Sequence, residues 1–343
     1  MKTITSSHKL LVKRAAIQPL LSGRGETALE LASLFPSVQH SELAKEILAQ
    51  RLAPMWSNLL YSQQSKAPIK LEEALRDSQA HATANYLLQF HILTEITGLF
   101  EKEDIAHAVV KGAHIREIVY QTPSLRIAED IDILIHLEDR RRAIDVLIDN
   151  GYSHFPNPKN LSHETSLVKK NVTIDLHWDI FRPGRSRVPI SEALLSSREK
   201  YQKHWGLGTT ETLYLMLVHP VFTKYSTTPN ATLDRIVDLS KWLQLADIDW
   251  GRLNELCDIT GTKTAAWITL SWFSLLTDNQ SFSAFQERLQ PGRIRKAWFK
   301  NWLIKDYSSR VQSSAILVHA GFTLPAHDKP IDVLRAMTQR LNS

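Results

Sequence analysis

Two aspartates, Asp130 and Asp132, stand on either side of Ile131 in the stretch "RIAEDIDILIHLED" that runs from Arg126 to Asp139. The alternation of acid and isoleucine predicts a strand. On a strand, residues i and i+2 share a face, so the two carboxylates form a pair and Ile131, Ile133 and Ile135 line the opposite face. A helix would turn the same two side chains roughly 200° apart. Paired carboxylates repel unless a proton or a cation compensates, and magnesium, a hard ion that takes carboxylate oxygen, is the usual compensation. The stretch "VTIDLHW" repeats the alternation, placing Thr173, Asp175 and His177 on one face and Val172, Ile174, Leu176 and Trp178 on the other. Paired beside the first strand, Asp175 completes a three-carboxylate site of the kind that holds two metal ions on a phosphate chain. A generic Asp-x-Asp also occurs on solvent-facing strands, and the third acid is what weighs toward metal.

Other residues fit around these acids. "VVKGAHI" reads as a strand, a tight turn at Lys111 and Gly112, and a helix start, where free backbone N–H groups and the helix dipole favour phosphate. The plainer alternative is a turn glycine beside a surface lysine. Arg126 either reaches a phosphate or pairs with Glu129 or Asp130. His177 either serves as a base or orients an acceptor, or it is only hydrogen-bonded. Downstream, Lys224 of "LVHPVFTKYS" and Arg235 of "TLDRIVDL" either line the cleft that would hold the phosphate chain or make helix-to-helix contacts, as Arg235 with Asp238.

The elements that must position these residues follow from periodicity. From about Thr27 to Phe100 the spacing is helical; Leu88, Ile92, Ile96 and Leu99 form one stripe, and Pro36 and Pro54 mark boundaries. At His107 the pattern changes to strand, turn and helix. It continues with the strand "DIDILIH", a helix "EDRRRAIDVLIDNG" ending on Gly151, and a hairpin "ETSLVKKNVTIDLHW" turning near Lys170 and Asn171. After Pro183 the chain reads as helical again, with most of its tryptophans packed there.

Composition sets limits. A chain of 343 residues with 43% hydrophobic content builds an ordinary packed core. One cysteine, Cys257, rules out an intrachain disulfide framework or a cysteine zinc site and fits a reducing cytoplasm. No signal segment and no apolar run near eighteen residues is present, so no membrane partner is expected. A net charge of +5 is small for this length; basic runs such as Arg140 to Arg142 read as solvated faces, and nucleic acid is admitted but not favoured.

In order and spacing, "VVKGAHI", "EDIDILI", "GY" after a helix, "IDLHWDI", "LVHP" and "RIVDL" resemble the uncharacterised nucleotidyltransferase family of the DNA polymerase β-like nucleotidyltransferase superfamily. The resemblance spans roughly residues 87–261. It implies an α+β fold: a minimal nucleotidyltransferase-type mixed sheet with helices at 104–188, flanked by mainly helical regions at 1–103 and 189–343. It further implies transfer of a nucleoside monophosphate from an NTP, ATP being expected, to an acceptor with release of pyrophosphate. On that pattern Asp130 and Asp132 hold Mg2+ (two ions, Mn2+ being a possible substitute) that bridges the triphosphate. Asp175 holds the ion that activates the acceptor hydroxyl, and Gly112 carries the triphosphate. The acceptor class stays open among small molecules, peptides and proteins. The turn departs from the superfamily's Gly-Ser or Gly-Gly, being Lys-Gly-Ala here, and Lys111 is able to supply the missing contact as a point charge. The alternative is a non-catalytic nucleotide- or partner-binding module on the same fold. A sugar-nucleotide transferase would need a larger sheet than the segment from His107 to Trp178 allows.

Overall fold

A computed structural model describes residues 8–21, 38–65, 67, 69–156, 163–224, 232–245, 247–311 and 314–341. The stretch "ELASLFP", with Pro36, lies outside the described residues. The chain divides into two compact units, each built from separated stretches: 1–82, 217–244 and 263–328 form the first, and 83–216, 245–262 and 329–343 the second.

The described part of the first unit is helical. It contains α1 (His8–Leu21), α2 (His40–Ala49), α3 (Ala53–Ser62) and the beginning of α4 (Ile69–Lys102). Pro54 sits in the first turn of α3, where a missing N–H costs nothing. Inside this unit Trp56 donates from its indole to the Ala16 carbonyl at 2.8 Å.

The second unit carries a seven-stranded mixed sheet in the order β3-β4-β5-β2-β1-β7-β6. The strands are β1 (His107–Val110), β2 (Asp130–Ile135), β3 (Ser153–Phe155), β4 (Glu164–Lys169), β5 (Val172–His177), β6 (Arg198–Lys200) and β7 (Trp205–Leu207). Helix α5 (Lys111–Val119) follows β1, and α6 (Arg140–Asp149) follows β2 and stops before Gly151, whose φ is 84°. β4 and β5 form the expected hairpin. Its turn residues Lys170 and Asn171 both take positive φ, 49° and 63°, the backbone that a two-residue hairpin loop needs to match strand twist.

One face of this sheet is the core. Ile131, Ile133, Ile135, Val172, Ile174 and Leu176 pack with Ile92, Ile96 and Phe100 of α4 and with Ala143 and Leu147 of α6. At about 25 cal/mol per Å² of apolar surface, that face is what fixes the register, because a slip by one residue would bury the acids instead. The opposite face carries the polar side chains.

Two expectations are corrected. The chain after Pro183 is not wholly helical: β6 and β7 extend the sheet, β7 running parallel to β1 with Val109 opposite Gly206. At three residues each they are too short to show an alternation. The turn after β1 is also built differently. Its left-handed residue is Lys111, at φ 56°, and Gly112 is not among the glycines with positive φ. Gly112 instead clears space, since a Cβ there would lie 3.1 Å from Nη1 of Arg126.

Candidate active site

β2 and β5 are adjacent and parallel, with Asp132 directly opposite Asp175 and Asp130 opposite Thr173. This register brings the three acids together: one carboxylate oxygen from each of Asp130, Asp132 and Asp175 lies within 4.8 Å of the others. Asp132 is buried, while Asp130 and Asp175 are half-buried. Hard oxygen donors at this spacing are a donor set that suits Mg2+ or Mn2+. A cation already stands beside it, for Lys111 Nζ lies 2.6 Å from Asp132 Oδ1.

The surroundings are specific. His177 Nε2 lies 2.8 Å from the same Asp132 oxygen and 3.2 Å from Lys111 Nζ. Its Nδ1 is 3.2 Å from Glu164 Oε2, near enough for a charge contact but not aligned as a hydrogen bond. Ser166 donates from Oγ to Asp175 Oδ1 at 2.7 Å. Burial by itself would raise the Asp132 carboxyl, but the Lys111 ammonium and the His177 ring hold it well below the usual carboxylate range. Asp175 goes the other way: burial raises it, Ser166 opposes, and the neighbouring charge of Asp132 adds to the rise. Burial drives His163 down to about 3, with His177, Arg182 and Lys111 adding to the fall. Two carboxyls on facing strands are thus pushed in opposite directions, a pattern frequent at functional sites.

Asp130, Asp132, Asp175, His177, Lys111, Gly112 and Arg126 all belong to the second unit. Arg126 is buried, lies against Gly112 and donates to the Ile127 carbonyl. Lys224 and Arg235 belong to the first unit. Lys224 closes the π-helical turn Pro220–Lys224, its side chain outside the described part, and Arg235 lies in the first turn of the helix Asp234–Leu245. Two neighbours escaped the reading of the sequence, Glu164 and Ser166. Both were accessible from the hairpin, because each stands as far before the Lys170–Asn171 turn as His177 and Asp175 stand after it.

No helix among the described residues is long and apolar enough to cross a membrane. A search of curated proteins returns no match. The profile of one protein family, described as "Uncharacterised nucleotidyltransferase", matches residues 36–278, a span that contains all three acids, the Lys111–Gly112 turn and His177. The match covers well over half of the chain, and the protein belongs to this uncharacterised nucleotidyltransferase family.

Proposed function

We propose that the protein is a metal-dependent nucleotidyltransferase that transfers a nucleoside monophosphate from an NTP, with ATP the expected donor, to an acceptor hydroxyl. The convergence of Asp130, Asp132 and Asp175 across two adjacent parallel strands supports this reading most strongly. The acceptor oxygen bonds to the α-phosphorus, the bond from that phosphorus to the bridging oxygen breaks, pyrophosphate leaves, and the hydroxyl proton passes to solvent. Magnesium held by the three acids would neutralise charge developing on the phosphate chain and lower the pKa of the acceptor hydroxyl.

The chain's own groups have separable tasks. Asp130 and Asp132 serve the donor side, and Asp175, steadied by Ser166, serves the acceptor side. The N–H groups that open α5, with Lys111 and Arg126, receive the triphosphate. His177 already gives its Nε2 to Asp132, so its task is to hold that carboxylate in position. Lys224 and Arg235 stay candidates for phosphate contact on sequence grounds alone. A small molecule, peptide or protein is the acceptor class we favour over nucleic acid. A cytoplasmic location goes with this reading.

The test is labelling with α-phosphate-labelled NTP and Mg2+ across an acceptor panel. Asp130→Ala and Asp132→Ala are expected to lower labelling at least about a hundredfold with the circular dichroism spectrum unchanged. Equal labelling by the double variant overturns the assignment. The Lys-Gly-Ala turn favours one second reading, a module that binds nucleotide without turnover; calorimetric binding with no pyrophosphate release would select it.

A further inference from the structure

Lys111 holds an unusual backbone. A non-glycine residue at φ 56° sits in the left-handed region that L side chains rarely adopt, so the surrounding contacts must hold it there. The contact it makes is with the acid cluster. Val110 pairs directly with Asp132 across the β1–β2 ladder, and the left-handed residue that follows sends its ammonium to Asp132 Oδ1 at 2.6 Å, with His177 Nε2 3.2 Å away. The lysine side chain is 18% exposed and that of Asp132 7%, so water screens the pair weakly. Lys111 is at the same time the first residue of α5, a nine-residue helix whose opening N–H groups suit a phosphate. A flexible four-carbon stem lets the ammonium turn from the carboxylate toward a phosphate oxygen while the backbone stays in place.

We infer that Lys111 is a built-in counter-cation that opposes divalent-metal binding to the acids until nucleotide phosphate draws its ammonium away, so that metal and nucleotide enter together. This rests on the reading of the three acids as a metal site. Ionised, the acids carry a charge of −3, which Lys111 reduces to −2, and a cation entering alone meets both a smaller attraction and a charge of its own sign. With nucleotide present the ammonium gains phosphate as partner and Asp132 is released. Metal and nucleotide then raise one another's affinity by the same factor, as linkage requires.

The probes are Mn2+ alone, read by loss of the free-ion electron paramagnetic resonance signal, and Mn2+ with an ATP analogue that cannot be cleaved between the α and β phosphates, read by calorimetry. Lys111→Met is expected to bind Mn2+ alone about tenfold or more tighter than the natural protein and to bind the Mn2+–nucleotide complex more weakly. Lys111→Arg, which keeps the charge, should stay close to the natural protein toward Mn2+ alone. If Lys111→Met does not fold, Lys111→Gly carries the same comparison, because glycine accepts this φ without strain. Equal or weaker Mn2+ binding by the neutral variants, in a protein that does take up the Mn2+–nucleotide complex, overturns the inference and leaves the metal site standing. No Mn2+ uptake by any of the proteins, with or without nucleotide, removes the metal reading as well.

Discussion

At the scale of single residues, Asp132 Oδ1 is approached by two donors, Lys111 Nζ and His177 Nε2. This distinguishes two tasks for His177. A positioning ring needs only a donor near Nε2, whereas a general base needs the ring's own proton affinity. His177→Gln keeps an amide donor, and we expect it to retain labelling within about tenfold of the natural protein. His177→Ala should lose about a hundredfold or more. The measurement is the initial labelling rate across pH; equal losses in both variants, with a vanished pH limb, would instead make His177 the base. The pairing of acids was legible in the sequence because alternation is local: Asp132 and Asp175 each sit between apolar residues that face the core, and Asp130 stands two residues before Asp132 across Ile131. The backbone of Lys111 was not legible, since glycine next to it is the residue one assigns to a positive φ.

At the scale of elements, the sheet's fit to α5 depends on Gly206. A Cβ there would lie 2.2 Å from Cε1 of His114, a ring that is wholly buried and hydrogen-bonded at 2.8 Å to His204. The ring has no free end to move aside, so Gly206→Ala should cost about 2–4 kcal/mol, read as a fall in urea midpoint. The same histidine pair makes the unit acid-sensitive. Burial holds His114 well below its ordinary value and pushes His204 down to about 4, with Arg116, Lys200, Lys203 and His107 around it adding to the effect. Folded His204 is then neutral at a pH where the unfolded chain, titrating near 6.5, has taken up a proton. Stability therefore falls as pH drops from about 6.5 to about 4, by on the order of 3 kcal/mol for this residue. Urea midpoints at pH 7 and pH 5 check this, and His204→Gln should flatten the difference. None of this was readable beforehand, because β6 and β7 are three residues each and reveal themselves only by pairing.

At the scale of the whole molecule, the second unit closes on itself through stretches far apart in the chain, and Arg187 is a side chain that touches all three of them. It lies in the segment after β5, donates from Nε and Nη2 to Asp332 at 2.8–3.1 Å, and donates from Nη1 to the Asp258 carbonyl at 2.9 Å. Its backbone N–H reaches the Thr260 carbonyl at 2.9 Å. Gly261, the left-handed cap of the helix Trp250–Thr260, admits this guanidinium, because a Cβ there would stand 2.6 Å from Nε. Asp332 is nearly fully buried on the helix Pro330–Leu341 and also accepts from the Lys329 N–H at 3.1 Å. Periodicity reads the chain after Pro183 as helical in general but not the arginine that ties these stretches together, since a pair separated by 145 residues leaves no local trace. A carboxylate this deep, deprived of its bidentate partner, costs more than an exposed ion pair returns. Arg187→Ala should therefore lower stability by about 2–4 kcal/mol. The loss should also be local. Hydrogen exchange at the amides of Pro330–Leu341 should quicken about tenfold or more at denaturant concentrations where β2 and β5 stay protected. If that helix keeps its protection in Arg187→Ala, the guanidinium is not what holds it to the sheet-bearing unit.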